Sequence, residues 1–226
     1  MFLPQFARLQ DRRVLFFPPA VSLHVVVQAI KERADLDAGV QNIHWEDKGA
    51  FTGEISGSLA RAAGARYALV GHSERRHVFG ETEEETGKKV AAAVKAGLTP
   101  MICVGETLAQ REAGNTLAVV KNQLKAAVAG VEASSVATTM IAYEPVWAIG
   151  TGKTATPEDA REVHVALRAE LRAIAGERGA AVPILYGGSV NRSNVNSLLA
   201  ADEVNGVLVG GASLDAEQWL AIVRSS

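Results

Sequence analysis

Seven short apolar runs recur along this chain, separated by stretches of helical period, and that alternation restricts the fold more than any other feature. The runs are VLFF (14–17), VQNI (40–43), YALVG (67–71), PMICVG (100–105), MIAYE (140–144), PILYG (183–187) and GVLVGG (206–211). Each is bounded by Gly, Pro or polar residues, as strands are. The clearest helix lies between the fifth and sixth, at TPEDAREVHVALRAELRAIAGERG (156–179). There Thr156 suits an N-cap and Pro157 the first helical position, while Glu158 and Asp159 complement the helix dipole. Val163, Leu167, Leu171 and Ile174 line one face, and Gly179 supplies a stop. Strands that are apolar on both faces must be covered on both. That requires parallel pairing with right-handed helical crossovers, so the predicted class is α/β. With 226 residues, 48% of them hydrophobic, the chain can bury a sizeable core, and no linker or low-complexity tract divides it. One domain spanning residues 1–226 is expected.

An open doubly wound sheet and a closed barrel both fit this alternation, and the strand ends decide between them. Residues able to do chemistry fall just past four of the runs: His72 after ALVG, Glu144 after MIAY, Gly187-Gly188-Ser189 after ILY, and Gly210-Gly211 after VLV. A βα barrel builds its site from the C-terminal ends of several strands, whereas a doubly wound sheet concentrates its ligand at one switch point. The barrel is favoured. No GxGxxG opens a helix, and GTGKT (150–154) lacks the first glycine of a P-loop because Trp147 stands in its place.

Charge and cysteine usage exclude further classes. A net charge of -2 and a pI near 6.2 carry no footprint for nucleic acid or an anionic membrane. Cys103 is the only cysteine, so no intrachain disulfide can form, and its place in PMICVG reads as a packed strand position. MFLPQFARLQDRR lacks the apolar region and cleavage site of a signal peptide, and cytoplasm is the expected compartment. His24, His44, His77 and His164 read as ordinary surface or core histidines. Adjacent side chains rarely converge on a metal, so His44 beside Glu46 and Asp47 is not read as a ligand set.

Several segments, in order and at comparable spacing, resemble those of the triosephosphate isomerase family: GAFTGEIS (49–56), LVGHSERR (69–76), AYEPVWAIGTGK (142–153), LYGGSV (185–190) and GVLVGGASL (206–214). The resemblance runs from about residue 14 to the end of the chain. It implies a TIM (β/α)8-type barrel that interconverts dihydroxyacetone phosphate and glyceraldehyde 3-phosphate without cofactor or metal. In that chemistry a base removes a proton beside a carbonyl, an electrophile meets the developing oxyanion, and a third group of contacts grips the phosphate. By resemblance Glu144 is the base and His72 the electrophile, this family being itself a standard example of that pairing. Residues 145–155 correspond to the family's lid, with Pro145-Val146-Trp147 and Lys153-Thr154-Ala155 as its hinges. Backbone N–H groups at Gly150, Ser189, Gly210 and Gly211 would ring the phosphate, since glycine permits close approach and a helix start favours negative charge. Ser73 and Glu74 support the site, and Thr52 lies on the segment that in the family reaches a neighbouring subunit.

The match has a gap. The family opens with a strand carrying Asn-x-Lys, whose lysine stabilises phosphate and enediolate charge. Here the first lysine is Lys31 and the first asparagine is Asn42, while residues 2–12 resemble the tail of the helix that follows that strand. Arg12 and Arg13 enter VLFF at its N-terminal end and are not expected to replace the lysine. The fold expected is therefore an incomplete, seven-stranded parallel barrel, with weak or lost activity and VLFF and GVLV exposed as edges through which copies could associate. The alternatives are a non-catalytic phosphate-binding or self-assembling relative of the enzyme and, from the same barrel class, an enzyme for another phosphosugar.

Overall fold

A computed structural model describes residues 2–149 and 154–225. In chain order it contains β1 (Val14–Phe16), α1 (Leu23–Ile30), β2 (Leu36–Val40), α2 (Gly57–Ala62), β3 (Tyr67–Val70), α3 (Ser73–His77) and α4 (Glu83–Lys95). There follow β4 (Thr99–Val104), α5 (Leu108–Glu112), α6 (Thr116–Val128), α7 (Ala133–Val136), β5 (Met140–Tyr143) and α8 (Pro157–Ala175). The chain closes with β6 (Ile184–Tyr186), α9 (Val195–Leu199), β7 (Gly206–Val207) and α10 (Ala216–Val223). The hydrogen-bonded order of the strands is their order in the sequence, β1 through β7. This is the seven-stranded α/β arrangement expected.

The backbone groups into two compact units. One comprises residues 8–102 and 126–139, and in it β1 pairs with β2, β2 with β3 and β3 with β4, all parallel. Every residue of β2 and β3 is buried. In β3, burial on both faces shows as a continuous apolar run, YALV. The other comprises residues 1–7, 103–125 and 140–226, with β5 parallel to β6 and β6 parallel to β7. Its core is built on Val104, Leu124, Ile141, Leu167, Leu171 and Ile184, each at most 1% exposed. Cys103 is fully buried in β4, as its sequence context indicated.

Helix α8 begins where its sequence says it should. The Thr156 hydroxyl accepts from the Asp159 N–H at 3.1 Å, and the Asp159 carboxylate accepts from the Thr156 N–H at 2.8 Å, a reciprocal cap. It ends earlier than expected, because Gly176, and not Gly179, takes the left-handed φ of 61° that only glycine adopts freely. On its inner face Arg168 donates to the Glu203 carboxylate (2.8 Å), to the Val182 carbonyl (2.5 Å) and to the Asn205 amide oxygen (2.8 Å). Beside it His164 is fully buried, and desolvation lowers its pKa to about 4, leaving a neutral ring whose Nδ1 lies 3.0 Å from the Glu203 carbonyl oxygen.

Three sequence expectations are corrected. The second strand covers Leu36–Val40, not 40–43. Asp37 disguised it, a charged residue that is nonetheless buried because Arg66 and Arg13 stand 3.2 and 3.5 Å from its carboxylate. The seventh strand is only Gly206–Val207, since the chain beyond Leu208 leaves the ladder. Residues 2–12 form no α-helix, only a 3-10 turn at Leu3–Gln5. Pro4 cannot donate within a helix, and the segment is held by contacts with α10. There Phe2 stacks on Phe6 with ring centroids 5.0 Å apart and lies 6.4 Å from Trp219, while Arg224 donates to the Gln5 carbonyl. Among the described residues no helix is long and apolar enough to cross a membrane.

Candidate active site

The carboxylate that ends MIAYE is placed by its neighbours on three strands. Residues Ile141, Ala142 and Tyr143 are fully buried, and Glu144, the next residue, is only 2% exposed. Its N–H donates to the Val104 carbonyl at 2.7 Å, carrying the ladder one step past β5. On the other side the Gly187 N–H donates to the Tyr143 carbonyl at 2.7 Å. A Cβ at position 187 would stand 2.9 Å from Glu144 Cγ, so the first glycine of YGGSV is the space that the glutamate side chain occupies.

After Glu144 the chain turns through Pro145 into a 3-10 turn at Val146–Ala148. Two bonds fasten that turn to Glu106, a fully buried residue just past β4: the Val146 N–H donates to its carbonyl at 3.1 Å, and the Trp147 indole N–H to its Oε1 at 2.8 Å. The Tyr143 hydroxyl donates to the same Oε1 at 3.2 Å. Burial, and then the nearby Glu106 charge, pushes that hydroxyl's pKa well above the ordinary tyrosine value, so it stays a donor. Arg111 of α5 lies over the Trp147 ring, 4.6 Å from its centroid, with a guanidinium nitrogen 3.6 Å from Glu106.

Beyond β6, Ser189 is half-buried and its carbonyl accepts from the Asn194 side chain at 2.9 Å. Beyond β7, Gly210 and Gly211 are exposed and open a 3-10 turn in which the Ser213 N–H and hydroxyl donate to the Gly210 carbonyl at 2.9 and 2.6 Å. Among the described residues, immediate chain neighbours aside, none comes within 4 Å of where a Cβ would stand on either glycine. Gly150 lies outside the described residues, as does Lys153 of the expected lid.

In the other unit His72 is the N-cap of α3, its backbone extended (φ -52°, ψ 144°) and its Nδ1 accepting from the Glu74 N–H at 3.3 Å. An Nδ1 that accepts cannot carry the ring proton, so the neutral tautomer bears its N–H on Nε2. Gly71 reaches that cap in the left-handed region (φ 73°) and is pinned on both sides: its N–H donates to Glu81, and its carbonyl accepts from Arg76 at 2.6 Å. Burial alone would raise the pKa of Glu81, but hydrogen bonds from Lys89 and Arg75 outweigh it and hold the carboxyl below its ordinary value. Ser73 is buried beside His72, and the Glu74 side chain is 72% exposed. Thr52 is exposed on a separate loop, closed by the His44 N–H bond to the Ile55 carbonyl (2.8 Å) and by the His44 and Phe51 rings, 4.5 Å apart.

Within their own units, then, Glu144 and Gly187 are in contact, and His72, Ser73 and Glu74 share the start of α3. Sequence reasoning passed over Glu106 and Arg111. The signal for Glu106 was available: it is an acidic residue just past a strand, in VGETL, as Glu144 is in MIAYE. Nothing in the sequence marked Arg111, whose partners are 36 and 48 positions away in Trp147 and Asp159.

The family model for triosephosphate isomerase matches residues 2–226. A triosephosphate isomerase of Moorella thermoacetica is 49% identical over 211 residues, 93% of this chain and 84% of that protein. One of Aquifex aeolicus is 46% identical over 224 residues, 99% of this chain and 90% of that protein. Among solved structures, triosephosphate isomerase from Bartonella henselae superposes with a TM-score of 0.85 at 40% identity, covering 93% of this chain and 85% of that one.

Proposed function

Because this chain belongs to the triosephosphate isomerase family, an aldose-ketose isomerase family on a TIM-barrel fold, we propose that it acts on dihydroxyacetone phosphate and glyceraldehyde 3-phosphate. Glu144 is the base. Its carboxylate takes the proton from the carbon beside the substrate carbonyl, the C–H electron pair becomes the new C–C double bond, and the carbonyl π pair moves onto oxygen as an enediolate. His72 donates a hydrogen bond to that oxygen from Nε2. The hydroxyl on the deprotonated carbon gives its proton to that oxygen, a carbonyl forms in its place, and the C–C double-bond pair takes the proton back from Glu144 on the neighbouring carbon. The observation that carries this reading is the burial of Glu144 at the end of β5, with Gly187 leaving room for its side chain. A carboxylate held by strands on both sides needs no reorganisation before the proton is transferred. The Nδ1 bond from the Glu74 N–H supports the role of His72, since it leaves the proton on the nitrogen that must donate.

Phosphate recognition falls to backbone N–H groups at Gly150, Ser189, Gly210 and Gly211. The space that the described residues leave around Gly210 and Gly211 supports this. Ser73 and Glu74 hold His72, and Thr52 belongs to the surface that meets a second copy.

Polypeptide 1–226 as such contains no Asn-x-Lys segment. A charge donor aimed at a developing oxyanion is commonly worth about 10²–10³ in rate. The polypeptide is therefore expected to turn over at about that factor below ordinary members of the family, and to gain rate when a peptide bearing the family's Asn-x-Lys strand is added. Isomerase assays with and without the peptide check both statements. Ordinary family turnover without the peptide would refute the first. Tight binding of glycerol 3-phosphate with no turnover even when the peptide is present would favour a phosphate-binding protein without catalysis.

A self-assembling protein is the second reading, favoured by the strand topology. The strand order pairs β1 with β2 and β7 with β6, which puts β1 and β7 at its two ends, where a further chain could add. Sedimentation velocity across a concentration series is expected to show self-association, and a sharp monomer throughout would count against it.

A further inference from the structure

Arg111 touches both the Val146–Ala148 turn and the first turn of α8. On one side its guanidinium covers the Trp147 ring at 4.6 Å, in the 3-10 turn that leaves Glu144. On the other it donates to Asp159 Oδ1 at 2.5 Å, in the first turn of α8. Asp159 is already engaged by the Thr156 hydroxyl and N–H, 2.7 and 2.8 Å from its Oδ2, so the carboxylate joins the cap of α8 to Arg111. Trp147 is engaged in turn by Glu106, 2.8 Å away. The result is a chain of contacts from α5 through both turns, all within one compact unit. Only a planar guanidinium can lie flat on an indole while pointing a fork of N–H groups sideways at a carboxylate.

We propose that Arg111 is a positioning residue for the isomerase reaction, holding the Val146–Ala148 turn and the start of α8 in one arrangement before substrate arrives. The inference rests on the isomerase reading above and deepens it. Segments that must be ordered to hold a ligand charge that ordering against affinity, and a contact that orders them in the free protein removes the charge. Arg111 touches no substrate atom in this account. It acts through Trp147 and Asp159.

The test measures binding of glycerol 3-phosphate, a three-carbon phosphate with no carbonyl to react, by calorimetry on the full chain, with a urea unfolding curve for each variant. Arg111→Met is expected to weaken binding about fivefold to tenfold, and Arg111→Lys, which keeps the charge but not the flat face, about twofold to threefold. Asp159→Asn should weaken binding, and adding it to Arg111→Met should cost little more, because both remove the same link. Wild-type binding combined with Arg111→Met binding within twofold of it overturns the proposal, and so does a variant whose unfolding midpoint falls while its affinity holds. Should Arg111→Met fail to fold, Asp159→Asn decides by the same criterion. A wild-type chain that does not bind the probe overturns the isomerase reading itself, and the proposal with it.

Discussion

Replacing Glu144 by Gln is expected to lower isomerase turnover about 10²–10⁴-fold, the range that a positioned general base supplies. The substitution changes one oxygen to an amide nitrogen and keeps the volume, so the pocket left by Gly187 is filled as before. What is lost is the lone pair that takes the proton, because an amide does not act as a base near neutral pH. Binding of glycerol 3-phosphate should stay within a few-fold of wild type, since the phosphate is gripped elsewhere. The urea midpoint should likewise change little. Assays are best made with the Asn-x-Lys strand peptide present, so that the loss is measured from the higher rate. Retention of a tenth or more of that rate would remove Glu144 from the base role and leave the mechanism without its central group.

The largest effect on stability is expected at Gly105, between β4 and Glu106. A Cβ there would lie 2.6 Å from the carbonyl carbon of Glu144 and 3.3 Å from its Cα, with the carbonyl oxygen closer still. Neither side can retreat cheaply. The Glu144 N–H is bonded to the Val104 carbonyl at 2.7 Å, and the buried Gln123 amide clasps Gly105 from behind, accepting its N–H at 2.7 Å and donating to its carbonyl at 3.2 Å. Overpacking a core usually costs about 1–3 kcal/mol, and a clash with backbone belongs at or beyond the top of that range. Gly105→Ala is expected to cost at least about 3 kcal/mol in urea unfolding, a large share of the roughly 5–15 kcal/mol by which a domain is stable. It should also depress turnover, because any relief moves the main chain of Glu144. Gly130→Ala is the control: its Cβ would meet only the Ala91 methyl at 3.8 Å, and a change within about 0.5 kcal/mol is expected. A Gly105→Ala protein as stable as that control would show that β4 and β5 are less closely apposed than described.

Reading the chain without coordinates succeeded where a signal is local. Thr156, Pro157 and Asp159 lie within four positions of one another, and their capping chemistry placed the start of α8 correctly. His72 was likewise legible, because the residues that make it an N-cap directly follow it. Reading failed where a residue's environment is made by distant partners. Asp37 looks like a strand breaker until Arg66 and Arg13 are seen beside its carboxylate. Gly176 and Gly179 are equally plausible helix stops in the sequence, and packing chose the first. The 3-10 turn at the N-terminus shows the same thing, since the aromatic pair Phe2 and Phe6 finds Trp219 more than two hundred positions away.

By itself the sequence determined the class of fold, through the alternation of strand-length apolar runs with helices, and the family, through motifs a few residues long. Both depend on interactions between near neighbours, which a sequence displays directly. Tertiary structure alone decided that Gly187 is the room for Glu144, that Gly105 admits no side chain, and that Arg111 joins Trp147 to Asp159. Those facts are distances between segments far apart in the chain, and they exist only once burial of the core has brought the segments together.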